Sequence, residues 1–355
     1  MTRPIRVGVA GGNAQRGWAH DAHAPALRRL ADYELVAVSA RTRTLAEEAC
    51  AAFGAGRAFD DSLALARDPE VDLVAVTVKA PEHRAIVLAA LAAGKHVYCE
   101  WPLGRDLAEA EEMAAAVTAA SHVAIGLQGL AAPAVREAVR LVREGALGRP
   151  QVVRAFSPTA GWGPAAPPFY AYLQDKRNGA TLETITGGHT LALVEALVGA
   201  YQEVDARNTT RLKTVRVVGT DEQVERTCAD HMMVLGVHAG GCVSTVEVVG
   251  GAPQRPFALE VVGETGALRV AGAHPGGFQV ANLRLETDIP GVRTPEPVAG
   301  DLKDAPANVA EVYAQFAADI RAGARTVADF RLAARLTRLL DAVDAASATG
   351  RRQRL

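Results

Sequence analysis

The chain has 355 residues, 49% of them hydrophobic, and a formal net charge of -2. This length favours two domains, and the mixed composition is typical of a globular protein. Without a dense Lys/Arg run, a nearly neutral chain has no general attraction to nucleic acid or to an anionic membrane, so neither is a predicted partner.

Targeting and redox features are few. The first strand-like run starts soon after Met1, and no apolar stretch is long enough to span a bilayer. We therefore predict no signal peptide and expect a cytoplasmic location. The four cysteines stand far apart, without a CxxC pair or a Cys/His cluster. Reduced, packed thiols and no metal site are expected.

Apolar runs alternate with helical stretches in the first third of the chain. The runs are IRVGVAG (5–11), ELVAVSA (34–40), LVAVTV (73–78), HVYCE (96–100) and HVAIGL (122–127). Such nearly continuous runs are typical of parallel strands covered on both faces. Between them lie HAPALRRLAD, TLAEEACAAFG, EHRAIVLAALAAG and LAEAEEMAAAVTAA, which have helical spacing. The alternation predicts an α/β fold, with a doubly wound parallel Rossmann sheet in residues 1–130.

The pattern changes from about residue 150, where strands follow one another with few helices between them. The strand-like runs are PQVVRAFS, KTVRVVGT, DHMMVLGVH, GCVSTVEVVG, FALEVVGETGALRVAG and FQVANLRLET. They predict an α+β domain with a mostly antiparallel open sheet in residues 131–305. Two helical segments in residues 306–355 are expected to pack back on the two domains.

The turn after the first strand is rich in glycine, with Gly8, Gly11, Gly12 and Gly17. Glycines at such a turn let the backbone approach a pyrophosphate at a helix N-terminus. We therefore assign cofactor binding to this loop, at Gly11, Gly12, Asn13, Gly17 and Trp18. The spacing does not match GxGxxG, so a strand-to-helix turn without a ligand is the alternative.

The end of the second strand bears on the choice of nucleotide. Dinucleotide folds commonly place a carboxylate there for the adenosine ribose, but this chain has Ser39, Arg41 and Arg43. Guanidinium groups suit a 2'-phosphate, so NADP is favoured over NAD, with Ser39 and Arg41 as contacts. The alternative is that these arginines are only solvated and that either nucleotide is accepted.

Three longer motifs carry a family resemblance. VYCEWPLGRDLAEAEEM, REGALGRPQVV and GGHTLALVEAL together resemble the glucose-fructose oxidoreductase, inositol dehydrogenase and rhizopine catabolism (Gfo/Idh/MocA) family over nearly the whole chain. Within it, GGNAQRGWAHDAHAPA, EWPL, LQG, GGHT and DHMM are similar to the branch containing the yeast galactose-pathway repressor. The resemblance implies a dinucleotide-binding domain followed by an α+β domain whose open sheet often makes oligomer contacts. A homodimer or homotetramer through that sheet is expected.

The resemblance also implies where protons are handled. The usual lysine of the family is Trp101 here, and an indole N–H cannot accept a proton. The family histidine corresponds to His189, our predicted acid/base, but its flanking carboxylates are replaced by Ile185 and Ala192. Compensating groups close in sequence are Asp175, Lys176 and Glu183. Lys79, after the third strand-like run, is a further candidate for catalysis or nucleotide contact, or else a solvated loop lysine.

The remaining candidates line the same predicted pocket. Glu100, Trp101 and Pro102 are expected beside the nicotinamide, with the indole as a wall for an apolar-faced substrate or simply as core. His83 and Gln128 are assigned to the cofactor. Aromatic residues in SPTAGWGPAAPPFYAYL form either a substrate lid or a cemented loop; the predicted substrate contacts are Trp162, Tyr170 and Tyr172, with His189 and His231.

Three functions are compatible with these residues. The leading hypothesis is an NAD(P)-dependent oxidoreductase of a sugar, glycoside or related small hydroxyl or carbonyl compound, with His189 as acid/base. The first alternative is a non-catalytic NAD(P)-binding sensor, as the repressor branch implies. The second is a redox-neutral epimerase or lyase that keeps the nucleotide bound.

Overall fold

The computed structural model describes residues 3–252 and 255–355, which fall into two compact units. The first unit comprises Met1–Gln128 and Pro297–Ala334, and the second comprises Gly129–Glu296 and Arg335–Leu355. The chain therefore passes between the units after residues 128, 296 and 334. The predicted boundaries at residues 130 and 305 stay a prediction.

The helices confirm the predicted helical stretches of the first third and add several that were not predicted. In chain order they are α1 Ala24–Arg29, α2 Arg43–Phe53, α3 Ser62–Arg67, α4 Ala80–Ala92, α5 Leu107–Ala115, α6 Pro133–Arg143, α7 Gly188–Val198, α8 Ala305–Ala322 and α9 Phe330–Thr349. Short π-helical segments precede α1, at Ala19–His23, and α7, at Glu183–Gly187. Such π-helical turns occur frequently at functional sites.

The strands of the first unit form one parallel sheet, as predicted. They are β1 Ile5–Ala10, β2 Tyr33–Ser39, β3 Arg57–Phe59, β4 Leu73–Val76, β5 His96–Glu100 and β6 Val123–Gly126, in the order β3-β2-β1-β4-β5-β6. Their apolar side chains are buried on both faces, which explains the continuous apolar runs. Strand order reverses between β1 and β4, the point at which open α/β sheets bind ligands beyond their carboxyl ends.

The second unit contains a larger, mixed sheet. Its strands and those of a small neighbouring sheet are β7 Pro150–Thr159, β8 Ala165–Ala166, β9 Tyr201–Thr209, β10 Thr214–Val217, β11 Gln223–Glu225, β12 His231–His238, β13 Val243–Gly250, β14 Phe257–Gly263, β15 Ala267–Gly272, β16 Arg284–Thr287 and β17 Gln353–Arg354. The large sheet has the order β16-β15-β14-β7-β13-β12-β9-β17, and its β7–β13 pair is parallel. Its other pairs are antiparallel, so the predicted, mostly antiparallel sheet is confirmed.

Two strand predictions needed correction, and strand β9 was not predicted. The run 213–220 contributes β10, which belongs to the small sheet β11-β10-β8 and not to the large one. The run 278–287 begins as a 3-10 turn at Phe278–Val280, and only its end forms β16. Strand β9 was missed because six of its nine residues are polar, as suits a strand one position from the sheet edge.

Two smaller features complete the fold. All four cysteines are buried and form no disulfide, as expected for packed thiols. In the part of the chain that the structure describes, no helix combines the length and the apolar character needed to cross a membrane.

Candidate active site

The glycine loop after β1 is tied to the neighbouring strand. The N–H groups of Gly11 and Gly12 donate to the Ser39 carbonyl oxygen at 3.1 and 2.8 Å. Gly11 has a φ of +103°, a conformation that suits glycine. Because both amides are already hydrogen-bonded, an anion at this loop would be held by N–H groups further along the chain.

The next residues continue the loop toward the first helical segment. The Asn13 side-chain oxygen accepts hydrogen bonds from the N–H groups of Gln15 and Arg16 at 3.0 and 3.1 Å. Gly17 has a φ of +92°, and Trp18 follows it directly at the start of the π-helical segment. The side chain of Asn13 therefore shapes the loop from within.

Two buried polar atoms near the carboxyl ends of the parallel strands lack partners. They are the indole Nε1 of Trp18, after β1, and the side-chain oxygen of Gln128, after β6, and neither has a hydrogen bond within the described residues. Buried polar atoms are normally paired, so unpaired ones mark places that a ligand can satisfy. One donor and one acceptor at this edge fit the polar groups of a dinucleotide, so the residues present suit such a cofactor.

The end of β2 offers one uncommitted cation. Ser39 is buried, and its hydroxyl lies 2.9 Å from that of Ser62. Arg43 donates to Glu47 at 2.7 Å and to the Ala58 carbonyl at 2.8 Å. Arg41, in contrast, is exposed and makes no ion pair or hydrogen bond among the described residues. Of the predicted contacts here, Arg41 is therefore the one whose side chain is available.

His83 holds two turns of the first unit together. Lys79 lies just before α4, and His83 follows within that helix. The buried His83 ring lies with Nε2 at 3.0 Å from the Val78 carbonyl and Nδ1 at 3.0 Å from the Pro102 carbonyl. Burial lowers the pKa of His83. Its ring atoms are thus committed to the backbone on both sides of the carboxyl edge.

The EWP motif follows β5. Trp101 is buried, and the Trp101–Pro102 peptide bond is cis. The Glu100 carboxylate lies 2.9 Å from Nε2 of His23, whose Nδ1 lies 2.7 Å from the Tyr313 hydroxyl. Sequence reasoning missed these partners: Tyr313 is 290 residues from His23, and no local pattern joins them.

His189 lies in the second unit, in the first turn of α7. It is only 5% exposed, and no hydrogen bond to its ring exists among the described residues. Its ring meets that of Phe278 edge-on, with centroids 6.3 Å apart. Burial lowers the pKa of His189 from 6.5 to about 3. At neutral pH the imidazole is therefore neutral and offers one donor and one acceptor.

This shift predicts a pH-dependent stability. Below pH 6.5 the unfolded chain protonates this histidine, whereas the folded chain does so only near pH 3. The unfolded state thus binds more protons in this window, and stability falls as the pH falls through it. We compare the free energy of unfolding at about pH 7.5 and about pH 5, measured by urea titration. The decrease between these two pH values should be about 2 kcal/mol smaller for His189→Leu than for the wild type.

A matched control separates titration from packing. Phe278→Leu loosens the same contact without removing a titratable group, so it should lower stability by a similar amount at every pH. If His189→Leu has the same pH slope as the wild type, the buried neutral imidazole is contradicted.

Asp175 and Lys176, the other predicted acid/base groups, have local tasks. Asp175 accepts hydrogen bonds from the Arg177 guanidinium, which lowers the pKa of the Asp175 carboxyl. The Lys176 side chain is exposed, and its backbone N–H donates to Thr227. Neither side chain hydrogen-bonds His189 in the described residues, so neither replaces the family carboxylates by direct contact.

Glu183 is the nearest buried carboxyl group in sequence before His189. One of its oxygens accepts the Ala229 N–H at 2.6 Å, and the other is buried without a partner among the described residues. Burial raises the pKa of Glu183.

The loop that contains the predicted aromatic substrate contacts has a buried, fixed part and an exposed part. Trp162 is buried, has a φ of +56°, and donates its indole N–H to the Leu173 carbonyl at 3.3 Å. The rings of Phe169 and Tyr170 meet at 5.0 Å, and Tyr170 is 46% exposed. The carbonyl of Tyr172 accepts from Asn178 at 2.8 Å. Trp162 is therefore fixed by packing and hydrogen bonding, and the exposed part of the loop is the segment around Tyr170.

One buried guanidinium fixes both ends of this loop, which we call the 161–175 loop. Arg226 donates to the Gly163 carbonyl at 2.6 Å and to the Gln174 side chain at 2.8 Å. It also donates to Asp230 at 3.0 Å, in a pair whose side chains are both fully buried. Sequence analysis gave Arg226 no role, because an arginine in a polar turn has no pattern that marks it as buried.

His231 lies on the other face of the large sheet from α7. Its Nε2 is 2.9 Å from Glu247, and alternation along β12 places it with the exposed Met233. Met232, the residue between them, is buried against Gly187, just before α7. The structure therefore does not bring His231 and His189 together.

Comparison with known proteins agrees with this architecture. Residues 5–126 match the GFO_IDH_MocA profile, described as an oxidoreductase family with an NAD-binding Rossmann fold. Residues 133–272 match the C-terminal domain of Gal80p.

Individual relatives include regulators and dehydrogenases. The galactose/lactose metabolism regulatory protein GAL80 of Kluyveromyces lactis is 26% identical over 308 residues, covering 80% of this chain and 67% of that protein. Dehydrogenase aclE of Aspergillus oryzae is 33% identical over 216 residues, covering 58% of each chain. A levoglucosan dehydrogenase, solved with NADH and levoglucosan, has the same fold, with a TM-score of 0.84 at 21% identity over 99% of both chains. Residues 5–126 therefore belong to the Gfo/Idh/MocA oxidoreductase family, and residues 133–272 resemble the C-terminal domain of Gal80p.

Proposed function

We propose that the protein is an NAD(P)-dependent oxidoreductase that acts on a sugar, a glycoside or a related small hydroxyl or carbonyl compound. The observation that carries this proposal is His189, a buried imidazole with no hydrogen-bond partner among the described residues. Unpaired polar groups in buried surroundings are typical of sites that a ligand completes. His189 would donate or accept a hydrogen bond at the reacting oxygen.

The nucleotide would be held by the first unit. Trp18 Nε1 and the Gln128 side-chain oxygen would pair with its polar groups. When bound, the nicotinamide supplies hydride transfer, which the protein's side chains alone cannot perform. The exposed ring of Tyr170 offers an aromatic face on which the apolar side of a sugar ring packs well.

The test begins with nucleotide binding. Purified protein is titrated with NADPH and NADH by fluorescence, then mixed with levoglucosan, pyranoses, glycosides and the corresponding keto compounds. Net loss or gain of reduced nucleotide with any of them supports an oxidoreductase. Tight binding with neither redox change nor altered substrate overturns it, and an altered substrate without net redox change indicates a redox-neutral reaction.

A regulatory sensor is the second candidate, and two observations favour it. Trp101 cannot take the place of the family lysine in proton transfer, and the similarity to GAL80 extends over 80% of the chain. A sensor would bind the nucleotide tightly and turn over none of the compounds. The same titration therefore separates the two functions.

NADP is the nucleotide we propose, and Arg41 carries that preference. Arg41→Ala should weaken NADPH binding about tenfold or more, because a charge-assisted bond to the 2'-phosphate contributes roughly 1.5–3 kcal/mol. NADH binding should change little. Arg43→Ala is the matched control, since Arg43 is already bonded to Glu47. Equal weakening of NADPH and NADH by Arg41→Ala would contradict the assignment.

We also propose that the chain forms a homodimer or homotetramer through the large sheet, on the face opposite α7. On that face Met233 is 41% and Leu235 57% exposed, and both project from the middle of β12. Exposed apolar patches on a sheet are typical of contact surfaces. Light scattering should give twice or four times the chain mass, and Leu235→Glu should shift it toward the monomer; a monomeric wild type contradicts the proposal.

A further inference from the structure

Hydrogen bonds on both sides of Tyr313 cross the interior of the first unit and reach the carboxyl edge of its sheet. The Tyr33 hydroxyl donates to the Tyr313 carbonyl at 2.7 Å. The Tyr313 hydroxyl lies 2.7 Å from His23 Nδ1, and His23 Nε2 lies 2.9 Å from the Glu100 carboxylate. Glu100 is the last residue of β5, immediately before Trp101.

Burial and the Glu100 carboxylate together determine which group donates in each of these hydrogen bonds. His23 and Tyr313 are completely buried, and Tyr98 packs against both rings, at 5.0 and 4.9 Å. Burial raises the pKa of Tyr313, so its hydroxyl keeps its proton. The Glu100 carboxylate only accepts hydrogen bonds, so in a neutral His23 ring Nε2 carries the hydrogen and Nδ1 accepts from the Tyr313 hydroxyl. The Glu100 side chain is 14% exposed, whereas His23 and Tyr313 are completely buried, so Glu100 is the member of this group that can meet a ligand at the carboxyl edge.

The fold reserves space for this carboxylate. Gly126 ends β6, the strand beside β5, and a Cβ at Gly126 would lie only 2.7 Å from a Glu100 carboxyl oxygen. A glycine is therefore required for Glu100 to keep its position between the two strand ends. In open α/β sheets this edge is where ligands bind.

Alcohol oxidation needs a proton acceptor, and the residues expected to serve are poor ones. Trp101 has only a donor, and the His189 imidazolium is disfavoured, with a pKa of about 3. A carboxylate beside Trp101 meets the chemical need. Resting on the function proposed above, we propose that Glu100 receives the substrate hydroxyl proton, with His23 and Tyr313 as positioning residues.

The step balances as follows. The substrate O–H bond breaks, and its proton adds to a Glu100 oxygen to give the neutral carboxylic acid. The substrate carbon would be oxidised to a carbonyl as its hydrogen leaves with two electrons, which a bound nicotinamide would accept. Glu100 later loses the proton to water at its exposed end. In carbonyl reduction, Glu100 gives the proton back to the same oxygen.

Glu100→Gln is the primary test. Its side-chain oxygen can still accept from His23 Nε2, so the geometry is kept, but an amide cannot take up the proton. We expect turnover to fall about 100-fold or more, with NADPH binding and the unfolding temperature retained. Tyr98→Phe is the matched control, because the Tyr98 hydroxyl is buried without a hydrogen bond in the described residues. It should turn over like the wild type.

Three further measurements detect chemistry that packing alone would not change. Glu100→Ala should regain activity as formate is added, because a small carboxylate can occupy the vacated space. Nitrogen NMR should show one imidazole with its hydrogen on Nε2. The loss of that signal in His23→Asn would assign it to His23. Tyr313→Phe should reduce turnover less than Glu100→Gln does, since Tyr313 only positions the His23 ring. It should also shift the pH profile of turnover.

The outcomes are distinct. If the wild type turns over a compound and both Glu100 variants do so within about threefold, the role of Glu100 is overturned while the oxidoreductase stands. A His23 ring with hydrogen on Nδ1 alone overturns the direction of these hydrogen bonds. If the wild type turns over nothing, the proposed function fails and the role of Glu100 fails with it.

Discussion

Replacing His189 with alanine is expected to lower kcat/KM by about 100-fold or more on whichever compound the wild type oxidises or reduces. The buried neutral ring offers a donor and an acceptor in a water-poor setting, where such hydrogen bonds are strong. Alanine removes both, and no other described side chain hydrogen-bonds at that ring. Steady-state kinetics, with nucleotide binding measured in parallel, gives the result.

His96→Gln is the control for the loss of an imidazole elsewhere in the fold, because the His96 ring is half-buried. His96 begins β5, at the opposite end from the carboxyl edge, and burial lowers its pKa to about 4. Its replacement should leave kcat/KM within about twofold. Undiminished turnover in His189→Ala would mean that the histidine only packs the first turn of α7.

Arg226→Met is expected to lower the free energy of unfolding by about 1–3 kcal/mol, because it leaves buried acceptors without their donor while Asp230 keeps its pair with Arg211. Gly163 and Gln174 lose their donor at the same time, so the 161–175 loop loses the group that fixes both of its ends. Urea unfolding measures the loss. A raised KM with unchanged kcat would indicate that the loop also binds substrate.

Arg211→Met is the matched control for that loss. Arg211 pairs with the same Asp230 carboxylate at 2.9 Å, but its side chain is 45% exposed. Water can replace an exposed partner, so the cost should be below about 1 kcal/mol. Equal costs for the two arginines would contradict the buried role of Arg226.

The sequence predicted the parallel sheet well because its strands are buried on both faces. Burial of that kind requires an unbroken apolar run, such as that of β1 or β4, and the requirement is visible without tertiary information. β3 was missed because it has three residues, none of them fully buried. β9 was missed because polar residues suit its place near the sheet edge.

The family motifs likewise located the main candidate residues. The family resemblance identifies Trp101 as the substituted lysine position and His189 as the retained histidine, since each lies within a short quoted motif. Those motifs did not predict which groups each residue contacts. The sequence treated Ser39 and Arg41 alike, whereas Ser39 is buried against Ser62 and Arg41 is exposed.

By itself, then, the sequence determined the two-domain α/β character, the family and the motif residues, because apolar periodicity and short motifs are local properties. Only the tertiary structure decided how His23, Glu100 and Tyr313 join, how Arg226 fixes a loop, and why His189 is neutral. Those properties depend on groups far apart in the chain, such as His23 and Tyr313, and on the loss of water around them. Long-range contact and desolvation arise only when the chain is folded.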